Sequence, residues 1–177
     1  MEIRPWRRGD ELLAGAATEY MSPASLANRF LVGTGGRLPS GYVRHIAAGP
    51  RPTWDAQVAV GDGHLLGWAE FGRFEATANA ADLAVIVADP WHRQGIASAL
   101  IRALLPRCAA AGVTHLGADV LPGNRAAHAL LVSLFGTRLR GAFDDGVVHY
   151  EVELTDLITP SAPAAPADRR IAALARV

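Results

Sequence analysis

The chain has 177 residues, half of them hydrophobic, which is one domain's worth of sequence with enough apolar residues for a sizeable core. Seventeen basic residues balance seventeen acidic ones, so the net charge does not point to nucleic acid or an anionic membrane surface as a partner. A single cysteine, Cys108, excludes an internal disulfide, and the sequence has neither a signal-like segment nor a membrane-length apolar run, so we expect a cytoplasmic protein.

The first half of the chain predicts one strand, three helices and a hairpin. "EIRPW" is typical of a short strand, and Asp10 after it is a candidate N-cap for a helix. Ser22 as cap and Pro23 at the first helical position predict a second helix, and "GYVRHIAAG" predicts a third that ends at Gly49. Two strands follow, "WDAQVAV" and "HLLGWAEFG", joined by the turn signal "GDG".

The second half alternates strands and helices. An apolar strand from Asp82 to Ala88 precedes a helix from Gly95 to about Ala111, in which Pro106 predicts a kink or an early end. "THLGADVL" predicts another strand, a helix starts near Asn124, and two last strands flank the turn "DDG". This order predicts an α/β fold: a twisted mixed sheet of about six to seven strands flanked by helices, with an antiparallel front half and a β-α-β crossover.

The composition changes near the end of the chain. Residues 156–177 are rich in Pro and Ala, which predicts a flexible C-terminal tail. We therefore expect the folded domain to occupy residues 1–155.

The segment "LAVIVADPWHRQGIASALI" places a polar hinge between a buried strand and a helix. A helix N-terminus presents unpaired N–H groups and a partial positive charge, and Gly95 lets the backbone approach a ligand closely. Arg93 adds charge, and His92 and Gln94 add hydrogen-bonding groups, which suits a phosphate or pyrophosphate. An ordinary strand-to-helix turn is the alternative, because neither a P-loop nor a Rossmann fingerprint is present.

"VADPWHRQGIASALI" resembles motif A of the GNAT N-acetyltransferases, in which a [Gln/Arg]-x-x-Gly-x-[Gly/Ala] loop binds the pyrophosphate of acetyl-CoA. Gly95 and Ala97 match the last two fixed positions, whereas His92 stands where Gln or Arg is usual. The resemblance implies a GNAT fold with acetyl-CoA as cosubstrate. It assigns the pyrophosphate to His92, Arg93, Gln94, Gly95, Ile96, Ala97 and Ser98.

The same resemblance implies where the pantetheine arm of the cosubstrate lies. Backbone groups of Val85, Ile86 and Val87 would hydrogen-bond the arm as an added strand does. Asn124, at the start of the last helix, would contact the pantetheine region. Many GNAT enzymes protonate the departing thiolate with a Tyr on that helix, but Leu131 occupies the position here, so the thiolate would leave unaided or through water.

A longer match narrows the resemblance. The two segments "ADLAVIVADPWHRQGIASALI" and "LGADVLPGNRAAHALL" are similar to the catalytic domain of the bacterial Pat-type protein lysine acetyltransferases. Matching residues in the early helix are Ser22, Ser25, Arg29 and Phe30. In that group a Glu at the start of the central strand is the general base, and the matching residue here is Asp82.

Asp82 also has a chemical rationale of its own. The lysine amine has a reference pKa near 10.4, so it is mostly protonated at neutral pH and must lose a proton before it attacks. A carboxylate removes that proton directly or through water. Glu70 and Glu75, on and just after the preceding strand, are the backup candidates, and Asp82 as an ordinary loop-ending residue is the structural alternative.

Other residue types carry weaker signals. Six His are scattered without metal-ligand spacing, so we predict no metal site. Four aromatic residues could either line an acceptor pocket or lie in the core: Trp54, Trp68, Phe71 and Phe74. The sequence contains no Lys, which either reflects codon usage or spares an amine-modifying enzyme from modifying itself.

These observations favour an N-acetyltransferase that moves an acetyl group from acetyl-CoA to a primary amine by direct attack in a ternary complex. A protein lysine, with an acyl-CoA synthetase as a hypothetical acceptor, is the leading hypothesis. One alternative is acetylation of a small amine or an aminoglycoside. Another is a non-catalytic acyl-CoA sensor.

Overall fold

The computed structural model describes residues 1–154, which form one seven-stranded mixed sheet with helices on both faces. The predicted tail in 156–177 lies outside the described residues. The strands are β1 (Glu2–Pro5), β2 (Trp54–Gly61), β3 (His64–Gly72), β4 (Ala80–Val87), β5 (His115–Val120), β6 (Arg140–Asp144) and β7 (Val147–Glu153). The helices are α1 (Asp10–Ala17), α2 (Pro23–Phe30), α3 (Ser40–Ala47), α4 (Ile96–Ala110) and α5 (Arg125–Phe135), with 3-10 turns at Thr18–Tyr20, Asp89–Trp91 and Gly136–Arg138.

The strand order across the sheet is β1-β2-β3-β4-β5-β7-β6. Neighbouring strands are antiparallel except β4 and β5, which run parallel because α4 carries the chain back across the sheet. The predicted antiparallel front half and the single β-α-β crossover are therefore confirmed.

Alternation along the central strands divides the core between the two faces of the sheet. One face packs against α1, α2 and α3 and buries Trp6, Trp54 and Trp68. The opposite face packs against α4 and α5 around Leu100 and Phe135. Every side chain of β4 therefore belongs to one of two environments, and Asp82, Ala84 and Ile86 share the face of the tryptophans.

The N-cap prediction for α1 was wrong, and of the two outcomes predicted at Pro106 the early end of α4 does not occur. Gly9 caps α1, and Asp10 is the first residue of the helix. The Asp10 carboxylate does not cap the helix; it accepts hydrogen bonds from Arg7 N–H and from the Arg4 guanidinium. Helix α4 continues through Pro106 to Ala110. Proline removes one helical hydrogen bond, but the fully buried Leu104 and Cys108 on either side anchor this turn to the sheet.

Cys108 lies inside that core. Burial raises the pKa of its thiol to about 12, so the thiol remains protonated and serves packing. In the part of the chain that the structure describes, no helix is long and apolar enough to cross a membrane.

Candidate active site

The site is built around a fork between β4 and β5. The two strands pair at only three positions, Ala80 with His115, Ala81 with Leu116 and Asp82 with Gly117. Beyond Asp82, β4 stays paired with β3 as far as Val87, whereas β5 stays paired with β7 as far as Val120. The two strands therefore diverge, and the β5-facing backbone groups of Val85 and its neighbours are left for another partner.

The hinge at the end of β4 has the backbone geometry of an anion site. Gly95 caps α4 with φ +78°, and Arg93 also adopts a left-handed conformation with φ +61°. A side chain at Gly95 would meet no atom within 4 Å, so the space in front of the first turn is open. The N–H groups of Ile96, Ala97 and Ser98 have no acceptor within the helix at this end.

Two hinge side chains turn back onto the protein. His92 donates from Nε2 to the Val87 carbonyl at 2.7 Å, and Gln94 donates to the Pro90 carbonyl at 3.3 Å. Arg93 and the backbone N–H groups are therefore better placed to meet a pyrophosphate than these two side chains. The same contact occupies the carbonyl of Val87, one of the groups predicted to bind pantetheine.

Asp89, within the hinge, connects it to helix α2. Its carboxylate accepts hydrogen bonds from Ser22 N–H at 3.1 Å and from Ser25 Oγ at 2.7 Å. Ser22 caps α2 through Ser25 N–H, as the sequence predicted. Partial burial would raise the pKa of Asp89, but the hydrogen bonds from Ser25 and Ser22 and the nearby His92 imidazole together lower it.

Asn124 caps α5, where its side-chain oxygen accepts from Ala127 N–H at 3.1 Å. Its side-chain NH₂ group remains available for a carbonyl of the pantetheine arm. Leu131, the residue in place of the usual tyrosine, is buried in the core.

A pocket of about 420 Å³ opens on the face of the sheet that carries α2 and α3. Its floor is formed by residues of β3 and β4, and its walls come from the two helices and the start of β2. The lining residues are Arg29, Phe30, Gly41, Tyr42, His45, Trp54, Glu70, Gly72, Asp82 and Ala84.

Glu70 lies on the pocket floor with its carboxylate fully engaged. Arg29 forms an ion pair with Oε1, and Tyr42 donates to Oε2 at 2.6 Å. Tyr42 also accepts from Trp68 Nε1–H at 2.8 Å. Burial and the Glu70 carboxylate raise the pKa of Tyr42 well above its ordinary value, so Tyr42 keeps the proton that it donates.

Asp82 lies where the pocket meets the fork. Its Oδ1 would be 3.4 Å from a Cβ built on Gly117, so the carboxylate lies beside the last residue of β5 that pairs with β4. In residues 1–154 this carboxylate finds no hydrogen-bond donor. Partial burial and the neighbouring carboxylate of Asp119 raise the pKa of Asp82 above its ordinary value.

The structure separates the remaining candidates. Glu75 is exposed in the loop after β3 and does not line the pocket. Of the four aromatic residues considered, Trp54 lines the pocket, Trp68 supports it from below, Phe71 belongs to the opposite core and Phe74 is exposed.

Sequence reasoning assigned no pocket role to Arg29, Phe30, Tyr42 and His45. Arg29 and Phe30 carried a signal, because they belong to the matched early helix, but Tyr42 and His45 carried none. In the described part of the chain no group of His, Cys, Asp and Glu side chains could hold a metal ion.

Several solved structures share this architecture. The GNAT domain of Pat from S. lividans superposes with a TM-score of 0.78 at 24% identity, covering 86% of this chain and 89% of that one. A cAMP-binding acyltransferase from Mycobacterium smegmatis superposes with a TM-score of 0.58 at 24% identity. The match covers 93% of this chain but only 46% of that protein. A Salmonella typhimurium structure with its cofactor acetyl-CoA gives 0.62 at 18% identity, covering 92% of this chain and 99% of that one. These likenesses show a shared fold.

No curated protein matches the chain in sequence. The acetyltransferase (GNAT) family, in contrast, matches residues 24–136, which include nearly all of α2, the whole of α3 and α5, the fork and the hinge. The predicted fold, the acetyltransferase class and the use of acetyl-CoA are thereby confirmed. The chain belongs to the GNAT family of acetyltransferases.

Proposed function

We propose that the chain acetylates the ε-amine of a protein lysine, with Asp82 as general base and direct attack of the amine on acetyl-CoA. The observation that carries this proposal is the position of Asp82. Asp82 lies at the last paired position before the fork, where the family's cosubstrate would lie, and it lines the pocket, where an acceptor amine would enter.

The charges in the pocket favour a cationic acceptor. Arg29 and Glu70 neutralise each other. Burial and the charge of Arg51 lower the pKa of His45, which keeps that imidazole neutral at pH 7. Among the described residues that line the pocket, Asp82 alone carries a charge with no opposite charge bound to it, so the pocket attracts an ammonium group.

The walls of the pocket favour a lysine side chain. Phe30, Tyr42 and Trp54 supply apolar surface for its methylene groups. In the reaction the ammonium gives a proton to Asp82, directly or through water. The amine then forms the new C–N bond, and the C–S bond of the thioester breaks to release the thiolate. The second proton of the attacking nitrogen passes to this thiolate, directly or through water, which leaves a neutral amide and the free thiol. Backbone N–H groups near Val85 would stabilise the oxyanion.

A small amine remains the second candidate, because a pocket of about 420 Å³ lies within the range of small-molecule sites. Free-thiol release from acetyl-CoA should therefore be measured with an acyl-CoA synthetase as protein acceptor, and in parallel with free amines and aminoglycosides. Because the chain has no lysine, an ε-acetyl group found by mass spectrometry belongs to the acceptor.

The proposal predicts one added acetyl mass on the protein acceptor and little thiol release with the small amines. Thiol release with the small amines alone would refute the protein acceptor. Asp82→Asn should leave acetyl-CoA affinity unchanged and lower turnover by about 10²-fold or more. Unchanged turnover of Asp82→Asn across the pH range would show that the base lies elsewhere. Glu70→Gln, which removes the other carboxylate of the pocket, is the matched control variant.

A further inference from the structure

The outermost strand of the sheet, β6, has one edge with which no described residue pairs. It is the last strand in the sheet order, and within residues 1–154 it pairs with β7 alone. Every residue of β6 is exposed, and Phe143 on this strand is 69% exposed. An open edge presents unpaired backbone N–H and C=O groups, so β6 can accept a further strand.

The hairpin turn between β6 and β7 determines which backbone groups point outward. Asp144 pairs with Val147 across the two-residue turn 145–146, in which both residues have positive φ, +45° and +81°. This is the geometry of a type I′ hairpin, in which the pair that flanks the turn exchanges its hydrogen bonds. The backbone groups of alternate residues, counted from Asp144, therefore face β7, and those of Gly141 and Phe143 face outward.

The sequence of β6, "RGAFD", is complementary to itself when two copies pair antiparallel about Ala142. Arg140 of one copy then lies opposite Asp144 of the other, and the two-fold symmetry repeats this pair. Gly141 lies opposite Phe143, and these are the residues whose backbone groups face outward. One register therefore satisfies the charged side chains and the free backbone groups together.

Phe143 would gain an aromatic neighbour in this arrangement. Residues opposite one another share a face of the sheet, so Phe143 of one copy lies beside Gly141 of the other. The ring of Tyr150 covers that glycine, since a Cβ built on Gly141 would lie 2.9 Å from Tyr150 Cε1. Neighbouring strands lie about 4.8 Å apart, which brings the two rings within the usual range of an aromatic pair. The second copy thus covers the exposed phenylalanine.

The charges at the two ends of β6 favour this register over its neighbours. Within residues 1–154, neither Arg140 nor Asp144 forms an ion pair. A pairing centred on Gly141 or on Phe143 would put Ala142 opposite one of the charged residues and would pair only part of the strand. Charged residues usually protect an edge strand from pairing, but opposite charges at symmetric positions make this edge complementary to its own copy.

We propose that the chain forms a two-fold symmetric dimer, in which the β6 strands of two copies pair antiparallel about Ala142 and join the two sheets. The inference goes beyond the proposed function and does not depend on the acceptor. Because the contact is centred on one short strand, the dimer should dissociate on dilution.

Sedimentation velocity of the full chain over a concentration series measures the dissociation constant of the dimer. Arg140→Asp and Asp144→Arg each place like charges opposite one another at both ends of the pairing, so each should weaken the dimer about tenfold or more. The double variant Arg140→Asp/Asp144→Arg restores opposite charges, and its dissociation constant should return close to the wild-type value. The matched control is Arg102→Asp, which makes the same change of charge at an exposed position of α4 and should leave the dimer unchanged.

Hydrogen exchange of the backbone amides gives a second measurement. The amide protons of Gly141 and Phe143 should be protected where the chain is dimeric and should exchange rapidly after dilution. Protection of these amides in a monomer would show that the chain's own residues cover the edge, and the dimer proposal would be wrong.

Three further results would overturn the proposal. They are a monomer at every concentration, a dimer that both single charge reversals leave intact, and a double variant that stays as weak as the single ones. Far-UV circular dichroism confirms that each variant is folded, so a weakened dimer can be assigned to the changed charges.

Discussion

Replacing Arg29 by methionine should destabilise the protein strongly, because it strands the carboxylate of Glu70 on the pocket floor. The two side chains are 11% and 8% exposed, so the pair is largely removed from water. Arg29→Met removes the counter-charge and leaves Tyr42 as the partner of the carboxylate. Breaking a buried ion pair from one side costs about 3–5 kcal/mol.

Two comparisons test whether the stranded charge is the cause. In the double variant Arg29→Met/Glu70→Gln no charge is stranded, and Gln still offers an oxygen to Tyr42, so most of the loss should be recovered. Arg107→Met breaks the pair with Asp55, whose side chains are 35% and 13% exposed, and should cost no more than about 1 kcal/mol. Urea unfolding curves measure all three variants. Equal losses for Arg29→Met and Arg107→Met would refute the reasoning.

Three further outcomes follow from the site and its surroundings. Asp119→Asn removes a negative charge that raises the pKa of Asp82, so the acidic limb of the pH profile of kcat/KM should move to lower pH; an unmoved limb would contradict the assignment of Asp82 as base. Gly95→Glu should abolish acetyl-CoA binding in calorimetry through bulk and like charge while far-UV circular dichroism stays native, whereas unchanged affinity would exclude the hinge as the pyrophosphate site. The hydrogen bonds from Arg4 and Arg7 hold the pKa of Asp10 below its ordinary value despite burial. The ionised Asp10 therefore stabilises the fold above about pH 4, and this stabilisation is lost as the pH falls through the lower pKa of the folded state. In urea unfolding curves at acid pH, Asp10→Asn should lose less free energy of unfolding than the wild type.

The elements that the sequence predicted well are those that local chemistry determines. Ser22 and Pro23 start α2 because a hydroxyl cap and a proline at the first position both suit a helix N-terminus. Gly95 marks the start of α4 because a left-handed residue is needed there. The early end predicted as one outcome at Pro106 does not occur, because the burial of α4 against the sheet outweighs the local cost of the proline.

The acceptor pocket is different, because it joins residues that are far apart in the chain. Arg29, Tyr42 and Glu70 meet only when α2 and α3 pack on β3. No local sequence pattern predicts that contact. Register alone places Gly72 between Trp54 and Asp82 and opens the space between them. Motif A and the start of α4 are contiguous in the chain, so the family, the hinge and the candidate base could all be predicted from the sequence. That Glu70 is held by partners while Asp82 has none among residues 1–154 follows from the folded chain alone, because charge pairing depends on packing between distant segments.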